Sequence, residues 1–398
     1  MTEDRTRPVV RLRPKAEARA IRHGFPWVYA DELVTDRRTQ AMAPGTIATL
    51  EDAERRPLAT VTVNPKSKII ARVLDRDAGA EITGDWIAAK ITRALALRER
   101  LFDAPFYRLV HAEADGLPGV IIDRFGDLAV VQPNAAWSEA MIGEITAALA
   151  AIGIATVVKN GSGRARGLEG LPEETVVLTG AVNGPVPVPM NGAVYMADVL
   201  GGQKTGLFFD QRPNHAFAAR LARGARVLDV FSHVGGFALA CLAGGAERAL
   251  AVDASAPALD LARQGAAAMG AEARFDTRQG DAFATLEALA TEGAQFDLVI
   301  CDPPAFAPSK TALQAGLRAY ERVARLAAPL VAPGGYVALC SCSHAADLVQ
   351  FRAASARGLG RGGRRSQLLH TGYAGPDHPM LPQLAESAYL KALFFRLD

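Results

Sequence analysis

The apolar positions of this chain change rhythm twice. Over residues 1–75 short β-prone runs (Val9–Leu12, Ile47–Leu50, Leu58–Val63, Ile69–Leu74) are punctuated by Pro44-Gly45 and Asn64-Pro65. Lys15–Arg22 reads as a short helix, whereas His23–Tyr29 holds too many aromatics, Gly and Pro to continue it. In a second stretch, Asp85–Leu101 is helical by pattern, and Val120–Ile122 and Leu128–Gln132 are spaced as a hairpin across Phe125-Gly126-Asp127. Ser138–Ile152 then reads as a helix and Ile154–Val158 and Val176–Leu178 as strands, which predicts a small α+β module over residues 76–195. Two arginine-bearing, glycine-rich stretches, Ser162–Gly170 and Arg357–Arg365, read as solvated loops.

From residue 196 onward strands and helices alternate. Pro213–Leu221 is a predicted helix, and Arg226–Phe231 an apolar strand carrying Asp229. Ser232–Gly236 is a turn with paired glycines, Phe237–Ala243 a helix, and Ala249–Val252 a second strand closing on Asp253. Ser255 caps a helix over Ala256–Met269. Phe296–Cys301 runs into Asp302, and Lys310–Ala328 is a long helix. Pro333-Gly334-Gly335 is a turn before the Tyr336–Cys340 strand, and Tyr389–Leu397 is a last strand. This alternation predicts an α/β, Rossmann-like domain over residues 196–398.

A strand, a glycine turn, a helix and a second strand ending on a carboxylate make a nucleoside-binding unit: the glycines let a ligand approach the backbone, and the acid takes the ribose hydroxyls. Asp253 stands 24 residues after Asp229, but Gly235-Gly236 replaces the G-x-G-x-x-G run, so a dinucleotide ligand is poorly supported. Asp229, Asp253, Asp302 and Cys342 all fall at or near predicted carboxyl ends of strands, where open α/β sheets bind ligands.

Composition narrows the class. With 398 residues, 49% of them hydrophobic, the chain can bury two or three cores. A formal net charge of +2 is neutral as to nucleic acid, but seven basic residues and one acid lie between Arg5 and Arg22, just before Phe25, Trp27 and Tyr29. Basic groups with exposed aromatics suit phosphate contact and base stacking; buried aromatics beside a solvated basic face are the alternative. The four cysteines do not form a disulfide framework, and Cys340 and Cys342 lack the second pair a zinc site requires. No signal peptide or long apolar span is present, so a reducing cytoplasm is expected and a membrane partner is not.

The phrase Asp302-Pro303-Pro304 at the end of a strand resembles the fourth motif of S-adenosylmethionine (SAM) methyltransferases, with Asp281 closing Arg278-Gln279-Gly280-Asp281 upstream. Gly24-Phe25-Pro26-Trp27-Val28-Tyr29 resembles the amino-terminal PUA domain of bacterial 23S ribosomal RNA cytosine-C5 methyltransferases. The likeness covers most of the chain. It extends through Asp115-Gly116-Leu117-Pro118-Gly119 with Ile122-Asp123-Arg124, through Lys204-Thr205-Gly206 with Asp210-Gln211-Arg212, and to Ser341-Cys342-Ser343.

This resemblance implies SAM as cofactor, large-subunit ribosomal RNA as partner and Cys342 as the nucleophile with Asp302 beside it; dimerisation is left open. The cofactor residues it implies are Gln203, Lys204, Thr205, Asp210, Arg212, Asp229, Phe231, Ser232, Gly235, Gly236, Asp253, Asp281, Asp302 and Pro303. The chemistry agrees, because cytosine C5 accepts a methyl group only after a thiolate has added at C6. Cys340 is the rival, one pleat deeper and suited to a buried hydrophobe. Ala305 departs from the family, which has a second cysteine or a lysine there. Two other readings remain at this stage: a SAM enzyme that methylates nitrogen on a base or a small molecule, and a non-enzymatic RNA-binding factor.

Overall fold

The computed structural model describes residues 7–202 and 206–398. The chain divides into two compact units, one reaching Asn183 and including Asp377–Ser387, the other formed by Gly184–Pro376 and Ala388–Asp398.

In the first unit the β-prone runs form a five-stranded sheet in the order Val9–Arg11, Thr46–Glu51, Pro57–Val63, Ala71–Asp75, Trp27–Val28. Its core comprises Val10, Val28, Leu50, Val61 and Ile70, all nearly inaccessible to solvent. A second five-stranded sheet runs Thr175–Thr179, Thr156–Asn160, Leu128–Pro133, Val120–Phe125, Phe106–His111. The helix Gly84–Leu101 buries Ile87, Ile91 and Ala94 in its core. The single helix predicted at Ser138–Ile152 is two, Ala136–Ala140 and Ile142–Ala151, because Met141 leaves helical angles at φ −106°. Trp137 anchors the first piece by donating its indole N–H to Pro118 O at 2.9 Å.

Both loops expected to be solvated are structured. Ser162–Gly170 contains the helix Arg164–Glu169, and Arg166 is fully buried, donating to Glu139 Oε2 at 2.8 Å and Pro133 O at 2.6 Å. Glu169 accepts from Asn64, Ser67 and Arg72. Trp27 donates to Glu113 Oε1 at 2.8 Å and Arg72 pairs with the same carboxylate, so the two sheets share one buried ionic network. The half-buried Trp27 thus serves the fold. Arg7, Arg11, Arg13 and Arg22 are also engaged within the unit, with Thr60, Glu51, Leu33 O and Asp52 respectively.

The second unit is built on strands β1 (Arg226–Val230), β2 (Arg248–Asp253), β3 (Phe275–Gln279), β4 (Phe296–Cys301), β5 (Val331–Ser341), β6 (Ser366–Gly372) and β7 (Lys391–Leu397). Their order is β3-β2-β1-β4-β5-β7-β6, parallel throughout except for β7, which is antiparallel to β5 and β6. Pro333-Gly334-Gly335 lies inside β5, with Gly334 at φ 77° and a register shift against β4 absorbing the irregularity. The helices are α1 (Arg212–Leu221), α2 (Gly236–Ala243), α3 (Ala256–Ala268), α4 (Ala282–Thr291), α5 (Leu313–Ala327) and α6 (Leu348–Arg361).

Within Arg357–Arg365, α6 places Arg357 and Arg361 on Glu321 of α5, while Arg364 donates to main-chain oxygens of Ala328 and Ala332. The hairpin Val186–Met190 with Ala193–Ala197 also belongs to this unit, since Tyr195 donates to Gly236 O at 3.2 Å. A boundary at 195/196 would cut through that hairpin, and the division falls at 183/184 instead. Among the described residues no helix is long and apolar enough to cross a membrane.

Candidate active site

The turn after β1 is held in a costly conformation. Phe231 (φ 63°) and His233 (φ 49°) occupy the left-handed region without being glycine, which requires support from their surroundings. Gly235 is at φ 78°, and a Cβ on Gly236 would stand 2.9 Å from His215 Nε2, so that position is closed to any side chain. His215 is buried and stacks on Tyr195, and burial pulls its pKa down to about 3, leaving the ring neutral under the turn. Asp253 braces the turn from β2, accepting from His233 N–H and Ser255 N–H, each at 2.8 Å.

Asp229 is completely buried. Its Oδ2 accepts from Ala238 N–H at 2.8 Å, while Oδ1 has no partner among the described residues. Burial pushes its pKa up to about 8; the Ala238 N–H opposes this, and the nearby negative charges of Asp302 and Asp253 add to the rise. Ser232 Oγ is likewise buried, with no partner among the described residues. Asp281 is exposed and caps α4, accepting from Ala284 N–H at 2.9 Å.

The segment leading into α1 reaches the same region. Asp210 is buried; Oδ2 accepts from Tyr389 O–H at 2.6 Å and Oδ1 has no partner among the described residues. Gln211 donates to Asp302 Oδ2 at 2.9 Å, and Asn214 holds the other end of that amide by donating to Gln211 Oε1 at 2.6 Å. The Arg212 guanidinium lies 5.6 Å from the centre of the Phe209 ring. Gln203, Lys204 and Thr205 lie outside the described residues.

Downstream, Asp302 follows β4 and Cys342 follows β5. Ser341 Oγ donates to Tyr320 O–H from α5 at 2.9 Å, and the Tyr320 and Ser343 hydroxyls are 2.7 Å apart. Ala307 N–H donates to Ser343 Oγ at 3.0 Å, and Phe306 N–H reaches the Tyr320 oxygen at 3.4 Å. One phenol thus ties the loop after Asp302-Pro303-Pro304 to the residues on both sides of Cys342. Cys342 is the one cysteine of the four that is partly open to solvent. Cys340 is buried, and burial followed by the negative charges of Asp302 and Cys301 raises its pKa well above the ordinary thiol value. Pro303 is buried, and Ala305 is exposed.

The strands β2, β1, β4 and β5 are consecutive neighbours, so Asp253, Asp229, Asp302 and Cys342 are brought to one edge of one sheet. Adjacent strands lie roughly 4.8 Å apart. Phe231, Phe283 and Phe306 form a triangle there, with centroids 6.1–6.4 Å apart. Sequence reading missed Gln211, Phe283, Phe306 and Tyr320 as site groups. Gln211 stands inside the quoted Asp210-Gln211-Arg212, Phe306 lies just beyond Asp302-Pro303-Pro304 and Phe283 follows Asp281 by two positions, whereas Tyr320 carries no local signal.

The strand order and the acidic strand ends define a Rossmann-like nucleoside-binding α/β unit. Residues 177–396 match the S-adenosylmethionine-dependent methyltransferase family, and residues 10–76 match a PUA-like domain. A protein named ribosomal RNA large subunit methyltransferase from Deinococcus radiodurans is 35% identical over 98% of this chain and 98% of its own. Ribosomal RNA large subunit methyltransferase I from Erwinia tasmaniensis is 32% identical over 96% of this chain and 98% of its own. A crystal structure described as a methyltransferase complexed with SAH shares the fold at TM-score 0.82 and 19% identity, covering 98% of this chain and 99% of that one. The chain belongs to the S-adenosylmethionine-dependent methyltransferase family, with a PUA-like domain at its amino-terminal end.

The residues present fit this cofactor. Two buried carboxylate oxygens, Asp229 Oδ1 and Asp210 Oδ1, and the hydroxyl of Ser232 await partners. An amino acid ammonium and hydroxyl-rich ribose provide the donors such acceptors require.

Proposed function

We propose that the protein methylates C5 of a cytosine in large-subunit ribosomal RNA, using SAM and a covalent bond between Cys342 and C6 of the base. The observation that carries this reading is the Tyr320 hub, which fixes the loop after Asp302 and both neighbours of Cys342 to one oxygen. A hub of this kind serves a reaction that needs an acid and a thiol in constant register. The ribosomal RNA substrate follows the names of the full-length relatives, and the PUA-like domain supports an RNA partner.

SAM supplies an electrophilic methyl group on a sulfonium. The Cys342 thiolate adds to C6, the C5–C6 double bond opens, and C5 gains enamine character. Asp302, oriented by Gln211, faces the charge that develops on N3 and the exocyclic amine. Once C5 is methylated, loss of its proton re-forms the double bond and expels the thiolate. Ala305 leaves that expulsion without help from a second cysteine at this position.

For the cofactor, Asp229 and Asp210 are assigned to the ammonium and Asp253 to the ribose. The turn Phe231, Ser232, Gly235 and Gly236 offers close backbone approach, and Asp281 and Pro303 border the adenine. Arg212 is assigned to the carboxylate end, and the family resemblance adds Gln203, Lys204 and Thr205 to the cofactor residues.

RNA carrying 5-fluorocytosine tests the chemistry, because fluorine cannot leave C5 as a proton does. A denaturation-resistant adduct should form only with SAM, vanish in Cys342→Ala and persist in Cys340→Ala. The reverse pattern would exchange the two cysteines. Absence of any adduct on RNA that is demonstrably methylated would remove the C5 mechanism in favour of nitrogen methylation.

A further inference from the structure

The last strand delivers a cation to the thiol loop. Register between β5 and β7 sets Lys391 opposite Ser341, one residue before Cys342. Lys391 is only 4% exposed, and a buried ammonium is costly unless its protons are used. Its Nζ donates to Ser343 O and Ala346 O, each at 2.7 Å, and so straps the turn that follows Cys342. Among the described residues no carboxylate forms an ion pair with it. Burial is the dominant influence and pulls its pKa down to about 8, while the negative charges it senses, Cys342 first and Asp347 second, oppose that shift. The ammonium is therefore still the major form at neutral pH.

We propose that Lys391 is a positioning residue for Cys342: it pins the Ser343–Ala346 turn and brings a buried cation to the thiol loop, favouring the thiolate. Among the described residues, the titratable groups on the neighbouring elements are of other kinds. Tyr320, from α5, is a neutral phenol whose pKa burial raises further. Asp347, on the same loop, and Asp302, at the end of β4, are acids, and His344 is exposed to solvent. A cation next to a cysteine is a general means of increasing its thiolate fraction at neutral pH. The assignment deepens the reading of Cys342 as nucleophile and rests on it.

Alkylation kinetics of the full-length protein test the pairing without RNA. Cys241, Cys301 and Cys340 are buried, so iodoacetamide under native conditions reports on Cys342, with Cys342→Ala as the blank. Lys391→Met keeps an apolar stem and removes the charge. Its alkylation at pH 7 should slow by roughly tenfold, the equivalent of about one pKa unit, with the midpoint of the pH profile moving up. Lys391→Arg, which keeps both the charge and donors for the turn, should restore most of the rate. Unchanged SAM affinity in the variants establishes that they fold.

An unchanged profile in folded Lys391→Met overturns the proposal. So does a wild-type midpoint at or above the ordinary thiol value of about 8.5, a measurement that needs no variant. Failure of the parent reading has a different signature. Alkylation would still depend on Lys391, but wild-type protein would give no 5-fluorocytosine adduct.

Discussion

Gln211 donates to Asp302 at 2.9 Å, so the acid after β4 is oriented by an amide from the segment that opens α1. Asn214 fixes the far end of the amide, which leaves Gln211 a single useful direction. Gln211→Leu removes the donor while keeping the bulk. Single-turnover methylation should fall by about tenfold, the equivalent of one hydrogen bond to a charged group, and SAM affinity should change much less. Equal losses in binding and turnover would mean that Gln211 supports the cofactor and not Asp302.

Asp229 should make cofactor binding release a proton. Its carboxyl is held up at about 8, well above its ordinary value of 3.8, so the folded protein keeps a proton that the unfolded chain gives up. The stability this group contributes is therefore present below about pH 4 and is lost as pH rises through about 8. An ammonium placed beside it favours the carboxylate and displaces the proton. Titration calorimetry near pH 7 in buffers of different ionisation enthalpy should detect the release, and Asp229→Asn should abolish it. Release of the same size in Asp229→Asn would assign the proton to another group.

Asp253 braces the turn with both oxygens, and each oxygen retains capacity for another donor. Asp253→Ala should weaken SAM binding by about 1–3 kcal/mol, partly through lost ribose contacts and partly through a relaxed Phe231–His233 turn. Asp253→Asn should fall between the two. A folded Asp253→Ala protein with wild-type affinity in calorimetry would take Asp253 out of the site.

Arg166 should prove to be a stability residue despite its glycine-rich surroundings. Removing Arg166 strips the donors from Pro133 O and Pro172 O and leaves Glu139 with Lys159 alone, which costs about 1–3 kcal/mol for each buried acceptor left unsatisfied. Arg166→Met should therefore lower the denaturation midpoint strongly. RNA affinity of the remaining folded fraction should keep its salt dependence. A reduced salt slope with intact stability would move Arg166 to an RNA surface.

A related consequence concerns truncation at residue 75. Asn64, Ser67 and Arg72 satisfy Glu169, and Trp27 and Arg72 satisfy Glu113. Deleting the PUA-like sheet strips partners from the buried Glu169 and the largely covered Glu113, so it should unfold much of the first unit. Proteolysis of the truncated protein checks this, and a protease-resistant module over residues 76–183 would refute it.

The linear order of residues determined the class of the fold and the places where chemistry could stand. Strand ends at Asp253 and Cys301-Asp302, the glycine turn and the capped helix at Ser255 were legible because each is encoded by neighbours in sequence: apolar runs, turn residues and caps. Tertiary structure decided what those groups touch. Tyr320 meets Ser343 across 23 positions and Lys391 meets it across 48, and neither lies near a motif. Arg166 and the arginines of Arg357–Arg365 look alike as text, yet Arg166 is sealed inside the first unit, Arg357 and Arg361 grip Glu321, and Arg364 grips main-chain oxygens. The reason is physical. Periodicity fixes which face of an element is apolar, but a polar group is satisfied by whatever partner folding brings within about 3 Å of it, and that partner is seldom its neighbour in the chain.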